Sequence, residues 1–168
     1  MNAPRPLPMV DVSVLQPEWE VVEAASGDEA VLRIPGIYAP DREGGTPRER
    51  LLRGTPVLER EDDVFTNHIH ADDLARACMA AVWKGRPQRA YNVSDSTHMK
   101  MGDYFDLAAD LYGLPRPPRV PRSTAQEQLS LMLLSFMNES RRLDNTRMVQ
   151  ELRLRLDYPD VGSGLLSK

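Results

Sequence analysis

The 168-residue chain predicts an α/β fold in which two or three strands feed a mainly helical lobe. Three observations point there. Val31-Leu32-Arg33-Ile34 is short and rich in branched apolar residues, and Pro35-Gly36 breaks it. Leu74, Ala77, Cys78, Ala81 and Val82 recur at helical spacing, as do Met101, Tyr104, Phe105, Ala108 and Leu111. The elements then run helix, strand, helix, strand and mostly helices, which suits an α/β unit joined to a helical lobe rather than a freestanding doubly wound sheet.

Each element follows from local chemistry. Residues 1–16 are rich in proline and without period, and read as a loose leader; Glu18 to Ala25 has Trp19, Val22 and Ala25 at helical spacing. Residues 1–30 are thus expected to be a leader and short helix, partly disordered, ahead of a domain over 31–168. Val31 to Ile34 is expected to be a strand from the middle of a covered parallel sheet, short of neighbours, with an edge open to pairing with another chain. Asp41 to Thr46 is a polar loop, and Arg48 to Arg53 is a helical turn closed by Gly54. A longer helix starts with Asp72 or Asp73 as N-cap, where a carboxylate accepts orphan backbone N–H groups. It ends at Lys84-Gly85, a cation and a C′ glycine. Ala90 to Val93 is a strand. Met101 to Tyr112 is a helix stopped by Gly113, and Pro115-Arg116-Pro117-Pro118 is a stiff link. Ala125, Leu129, Met132, Leu133 and Phe136 mark one further helix, Asp144 caps another that ends near Leu152, and the tail past Tyr158-Pro159 is mostly irregular.

Composition excludes several classes. The formal charge is −4, so no global basic field gathers nucleic acid or anionic lipid. Lysine occurs only at Lys84, Lys100 and Lys168, and arginine supplies the other cations. The lone Cys78 has no internal disulfide partner and sits among Ala77, Met79 and Ala80 as a small core residue. No signal-peptide apolar region precedes the domain, and no apolar run approaches the ~20 residues that span a bilayer. A cytoplasmic protein that engages neither nucleic acid nor membrane is expected.

Five stretches, taken in order, carry a family likeness. They are Leu32-Arg33-Ile34-Pro35-Gly36-Ile37-Tyr38, His68-Ile69-His70-Ala71-Asp72-Asp73-Leu74-Ala75, Tyr91-Asn92-Val93-Ser94-Asp95, Gly102-Asp103-Tyr104-Phe105 through Gly113-Leu114-Pro115, and Arg141-Arg142-Leu143-Asp144-Asn145. Together they resemble the C-terminal, substrate-lobe portion of an extended short-chain dehydrogenase/reductase of the NAD-dependent epimerase/dehydratase family. The resemblance implies the last two or three strands of a Rossmann-type sheet plus a mainly helical substrate lobe. It implies NAD or NADP chemistry on a sugar nucleotide or other small hydroxylated substrate. In that family the loop after the strand closes over the nicotinamide, which makes Pro35, Gly36, Ile37 and Tyr38 candidate cofactor contacts. Arg42, Asn67, His68 and Arg141 become candidate substrate contacts. Glycine at 36 lets the main chain approach a ligand closely; a plain turn is the competing reading.

The departures are as informative. The family's Gly-x-x-Gly-x-x-Gly phosphate loop is not in the sequence: Gly27 stands alone, and Gly44-Gly45 lies in a polar loop after the strand. The family's Tyr-x-x-x-Lys pair, whose lysine eases the tyrosine toward phenolate, belongs before the Val31 strand. The first tyrosine here is Tyr38 and the first lysine Lys84. Tyr38-Ala39-Pro40 also departs from the usual Tyr-Gly-Pro. The chain is therefore expected to be truncated relative to the family, with no catalytic residue of its own and no hold on the cofactor alone.

Two other classes compete. One is a non-catalytic interaction module, or a half-enzyme completed by a separate cofactor-binding half or by a second copy in a homodimer. The other is a metal-dependent hydrolase, since His68-x-His70-x-Asp72 resembles a zinc loop, although position 73 is Asp and only His98 remains elsewhere. On the epimerase/dehydratase reading no metal site is expected.

Overall fold

The computed structural model describes residues 10–14, 29–129 and 131–167. The expected helix over Glu18 to Ala25 lies outside them. Strands β1 (Val10–Val14), β2 (Ala30–Ile34) and, much later in the chain, β7 (Arg89–Asn92) form a parallel sheet in the order β1-β2-β7. Register runs straight across it, with Val12 opposite Leu32 and Leu32 opposite Tyr91.

This sheet corrects two expectations. The stretch read as a loose leader contains β1, because Val10-Asp11-Val12-Ser13-Val14 alternates with the period of a strand despite the prolines before it. The β2 strand is not short of neighbours either, since β1 and β7 flank it within the same chain. Within β2 itself Ala30, Leu32 and Ile34 are buried whereas Arg33 is exposed.

The covered face packs on helix α2 (Ala71–Lys84) and helix α6 (Thr146–Glu151). Leu32, Ile34 and Tyr91 meet Ala77, Ala81, Met148 and Leu152 in one buried cluster. The apolar stripe read from the sequence is thus the buried face of α2. Its caps differ from expectation. His70 is the N-cap, and its Nδ1 accepts the backbone N–H of Asp72 at 3.2 Å. Asp73 is fully buried and reaches away from its own helix, accepting the backbone N–H groups of Asp157 (3.0 Å) and Tyr158 (2.8 Å). Gly85 follows α2 without a left-handed φ; a Cβ there would collide with the Ala81 carbonyl.

The second layer is the helical lobe. Helix α3 (Met101–Tyr112) ends at Gly113 with φ +63°, as its sequence predicts. Tyr104, Phe105 and Ala108 pack against Leu51 of helix α1 (Arg48–Leu52) and Val161 of helix α7 (Val161–Gly164). Lys100 at the N-cap of α3 makes no side-chain cap bond. Buried Asp63 serves instead, accepting Gly102 N–H at 3.0 Å. The short α7 lies in the tail expected to be irregular; Asp160 caps it through Ser163 N–H at 2.8 Å.

The helix expected through Ala125 and Phe136 is two helices, α4 (Arg122–Gln128) and α5 (Leu131–Met137). Leu129 is extended between them (φ −111°, ψ 151°). That bend lets Leu129, Leu133 and Leu134 converge on Leu58, Ala125 and Met137, which one straight helix does not bring together. The N-cap of α6 is Asn145, which makes no side-chain cap bond, rather than the expected Asp144; Asp144, one residue earlier, accepts Thr146 N–H at 2.8 Å. Two-residue strands complete the lobe: β4 (Val57–Leu58) beside β9 (Arg119–Val120), and β5 (Phe65–Thr66) against β8 (Met99–Lys100).

Candidate functional site

The site begins where β2 ends. Pro35 withdraws a donor and fixes φ, so the chain cannot continue the ladder unbroken. It resumes as β3 (Gly36–Tyr38), paired in parallel with β6 (His68–His70). Gly36 lies opposite His68, and Tyr38 opposite His70. The strand from β7 follows β6: Val93 N–H donates to Arg33 O, and Asp95 N–H to His68 O. The sheet therefore forks at Pro35, at the C-terminal ends of its strands, where ligands of parallel α/β sheets bind.

A cleft of about 480 Å³ opens at this fork. Pro35, Gly36, Ile37 and Tyr38 form one wall. The Gly44-Gly45-Thr46-Pro47 turn and Arg50 form a second, and Phe65 to His68 with Met101, Tyr104 and Phe105 a third. Leu133, Glu139, Arg141 and Leu143 close the far side.

The structure brings all but one of the sequence-predicted site residues to this cleft. Asn67 lines it while spanning to the far wall: its Nδ2 donates to Arg141 O and its Oδ1 accepts Leu143 N–H, both at 2.9 Å. Arg141 lines it and pairs with Glu139 at 2.9 Å. His68 lines it with its ring stacked on Tyr104 (centroids 4.0 Å apart). Arg42 is exposed on the Asp41-to-Thr46 turn, and its side chain is not part of the lining.

Burial sets the chemistry of these groups. His68 lies in an apolar stack, and the loss of solvation lowers its pKa to about 4, so it is neutral at pH 7. Its Nε2 lies 3.4 Å from Thr66 Oγ1, and its Nδ1 is buried with no hydrogen-bond partner among the described residues. Burial also pushes the Tyr38 phenol above its ordinary range, with Asp95 adding to the shift. A phenol held in the protonated state, with its hydroxyl against Gly164, is a packing element here rather than a proton carrier.

Sequence reasoning missed Arg50. It sits on the short α1, and its guanidinium carbon lies 4.2 Å from the Phe105 ring centroid. Its Nε and Nη2 are buried without a partner among the described residues. Burial lowers its pKa to about 10, which leaves it cationic at neutral pH. Nothing in Arg48-Glu49-Arg50-Leu51-Leu52 distinguishes Arg50 from Arg48; only the packing of α1 on α3 turns it inward.

His70 does not extend the site. Its Nδ1 accepts Asp72 N–H, so Nε2 carries the proton and donates to Ser167 Oγ at 3.0 Å. Ser167, His70 and Asp72 thus look like a hydrolase triad, but the imidazole gives its proton to serine and cannot take one from it. The zinc-loop reading meets the same obstacle, since both nitrogens of His70 are engaged. Among the described residues no three His, Cys, Asp or Glu side chains are grouped to hold a metal ion.

No family model matches the chain, and no curated protein matches it. Solved structures do. A functionally unknown conserved protein from Silicibacter pomeroyi is 33% identical over 82% of this chain and 46% of its own, with a TM-score of 0.68. A human epimerase family protein solved with NADPH is 17% identical over 82% of this chain and 47% of its own, with a TM-score of 0.67. A UDP-glucose 4-epimerase from Thermotoga maritima, solved with UDP-glucose, is 20% identical over 82% of this chain and 43% of its own, with a TM-score of 0.60. The fold and cleft define a Rossmann-like α/β unit joined to a helical lobe. In fold, the chain matches part of each of these structures, two of which are an epimerase family protein and a UDP-glucose 4-epimerase. It spans less than half the length of each of these structures. No helix among the described residues is long and apolar enough to cross a membrane.

Proposed function

We propose that this chain is the substrate-binding portion of an NAD(P)-dependent epimerase/dehydratase-like site, and that these residues alone neither seat the dinucleotide nor turn a substrate over. The observation that carries the reading is the cleft at the strand fork, with Gly36 on its wall. Gly36 lacks a left-handed φ, and a Cβ there would meet only Asn67 O at 3.4 Å and His68 Cδ2 at 3.6 Å, both ordinary contacts. Neither backbone nor packing demands glycine there. The space this leaves suits the close approach of a ligand.

The fit to a dinucleotide is partial. The apolar Pro35-Gly36-Ile37 wall suits the edge of a nicotinamide ring, and Tyr38 backs it. The sequence offers no glycine-rich turn ahead of a helix to receive the pyrophosphate. When bound, the nicotinamide would supply or accept hydride. The residues of this chain hold and orient the substrate beside it: Asn67 fixes the far wall, His68 presents a neutral ring nitrogen, and Tyr104 and Phe105 exclude water.

Gly36→Ala tests the reading. Ala is the better strand residue, so folding stability should hold within about 1 kcal/mol of wild type. Binding of UDP-glucose, whose hexose would lie against this wall in place of the absent nicotinamide, should weaken at least tenfold by calorimetry. Unchanged affinity would remove the ligand-facing role of this wall.

A second reading has its own observation. Helix α2 exposes Met79 (67%) and Trp83 (75%), one turn apart on the side away from the core. Such a pair suits a protein contact, with a second copy of the chain or with a separate cofactor-binding half. Light scattering on the purified chain separates a monomer from an assembly.

A further inference from the structure

Two arginines of this protein show how it grips a carboxylate. Arg89 presents Nε and Nη2 to the two oxygens of Glu151, with Nε 3.0 Å from Oε2. Arg116 does the same to Asp110, at 2.9 and 2.7 Å. These two nitrogens form the edge of a guanidinium whose N–H bonds run parallel, the edge that matches a carboxylate or phosphate in bidentate fashion. Arg50 has this same edge buried, and both nitrogens lack a partner among the described residues.

An unpaired cation in an apolar setting is costly, and natural proteins retain one chiefly where something pairs with it. Phe105 compensates only in part: a ring face at 4.2 Å offers a cation–π contact and no acceptor for the edge. The carboxylate that shares the cleft is already committed, since Glu139 pairs with Arg141 at 2.9 Å. The rest of the cleft lining carries no second carboxylate.

We propose that Arg50 is an anion anchor, and that the ligand of this cleft carries a carboxylate or a phosphate monoester gripped by the Nε/Nη2 edge, with its organic part against Met101 and Phe105. The proposal rests on the reading of the cleft as a ligand site, but it requires no nicotinamide. The two nitrogens are closed to water, so the acid group enters as the adjoining wall yields slightly. Arg50 is a binding and specificity residue on this account; no proton or hydride passes through it.

The test titrates the full chain with phenyl phosphate, benzoate and uncharged benzyl alcohol, by calorimetry and by the 1H–15N resonance of the Arg50 Nε group. One or both anions should bind saturably and shift that resonance, and benzyl alcohol should bind at least tenfold more weakly. Preference for phenyl phosphate assigns a phosphate ester; preference for benzoate assigns a carboxylic acid. Arg50→Met should lose at least tenfold in anion affinity while melting at or above the wild-type temperature. Arg50→Lys, which keeps charge but not the fork, should fall several-fold. Arg42→Met should change nothing. Equal binding of benzyl alcohol, failure of both anions to saturate, or anion affinity unchanged in Arg50→Met would overturn the proposal. A steep loss of stability in Arg50→Met would also overturn it, since Arg50 would then be structural. Because no dinucleotide is present, the outcome is independent of whether the chain binds NAD(P).

Discussion

Replacing Asp73 by alanine should unfasten the C-terminal segment from the rest of the molecule. Asp73 is 0% exposed and receives three donors: Asp157 N–H at 3.0 Å, Tyr158 N–H at 2.8 Å and Arg76 Nη1 at 2.7 Å. Arg76 has a second partner in Asp157, at 2.6 Å, and is partly exposed, so its share of the loss is small. The two backbone donors have no substitute. Each one left without an acceptor costs about 1–3 kcal/mol, less to the extent that water reaches this part-buried segment. The expected loss is about 3 kcal/mol, a large fraction of the ~5–15 kcal/mol that holds a domain together. Asp73→Asn keeps one acceptor and should lose about half as much. Urea denaturation reads the total. Amide exchange reads the location: Asp157 and Tyr158 should lose protection, and the β2 amides should lose it only to the extent that global stability falls. The functional consequence follows from packing. Residues 157–160 lead into α7, and Gly164 of α7 lies against the Tyr38 ring behind the cleft wall. A loss below 1 kcal/mol, or unchanged exchange at 157 and 158, would refute the tether.

Two further perturbations probe the same scaffold. Gly164→Ala places a methyl group into the Tyr38 ring and hydroxyl and should cost about 1–3 kcal/mol by overpacking; Tyr38→Phe, which removes a buried hydroxyl without a partner among the described residues, should be near neutral alone and recover part of that cost in the double mutant, and equal costs in the two backgrounds would contradict the contact. His68 should make stability fall in acid. Its folded pKa of about 4 lies below the ordinary 6.5 of an unfolded histidine. The unfolded chain therefore takes up a proton between those values while the folded one resists. The contribution is complete above pH 6.5 and is lost as pH falls to about 4, by ~3 kcal/mol. Comparing urea midpoints of wild type and His68→Phe at pH 7 and 4.5 isolates it from the opposing change at Asp95, which burial raises to about 6; parallel pH profiles would show that His68 is solvated.

Much of the architecture was legible because local signals and tertiary packing agreed. The stripes of α2 and α3 are their buried faces, Gly113 stops α3 with a positive φ, and β2 and β7 sit where apolar runs placed them. What escaped depended on distant partners. Asp73 has the sequence position of a cap, but the backbone of 157–158 claims it, and His70 caps in its place. The pairing of β3 with β6 joins three-residue segments some thirty positions apart, too short for any period to announce. Proline in the leader outweighed the clean alternation of β1. In the cleft, residues 35–38, Asn67, His68 and Arg141 were singled out by family likeness and line one cavity, whereas Arg50 is turned inward only by the contact of α1 with α3.

Calorimetry of the purified chain with NAD(H) and NADP(H), set beside UDP-glucose under the same conditions, decides whether these residues hold a substrate without seating a dinucleotide. Saturable heat is expected with UDP-glucose and none with any of the dinucleotides up to millimolar concentration. Micromolar affinity for a dinucleotide would contradict this expectation.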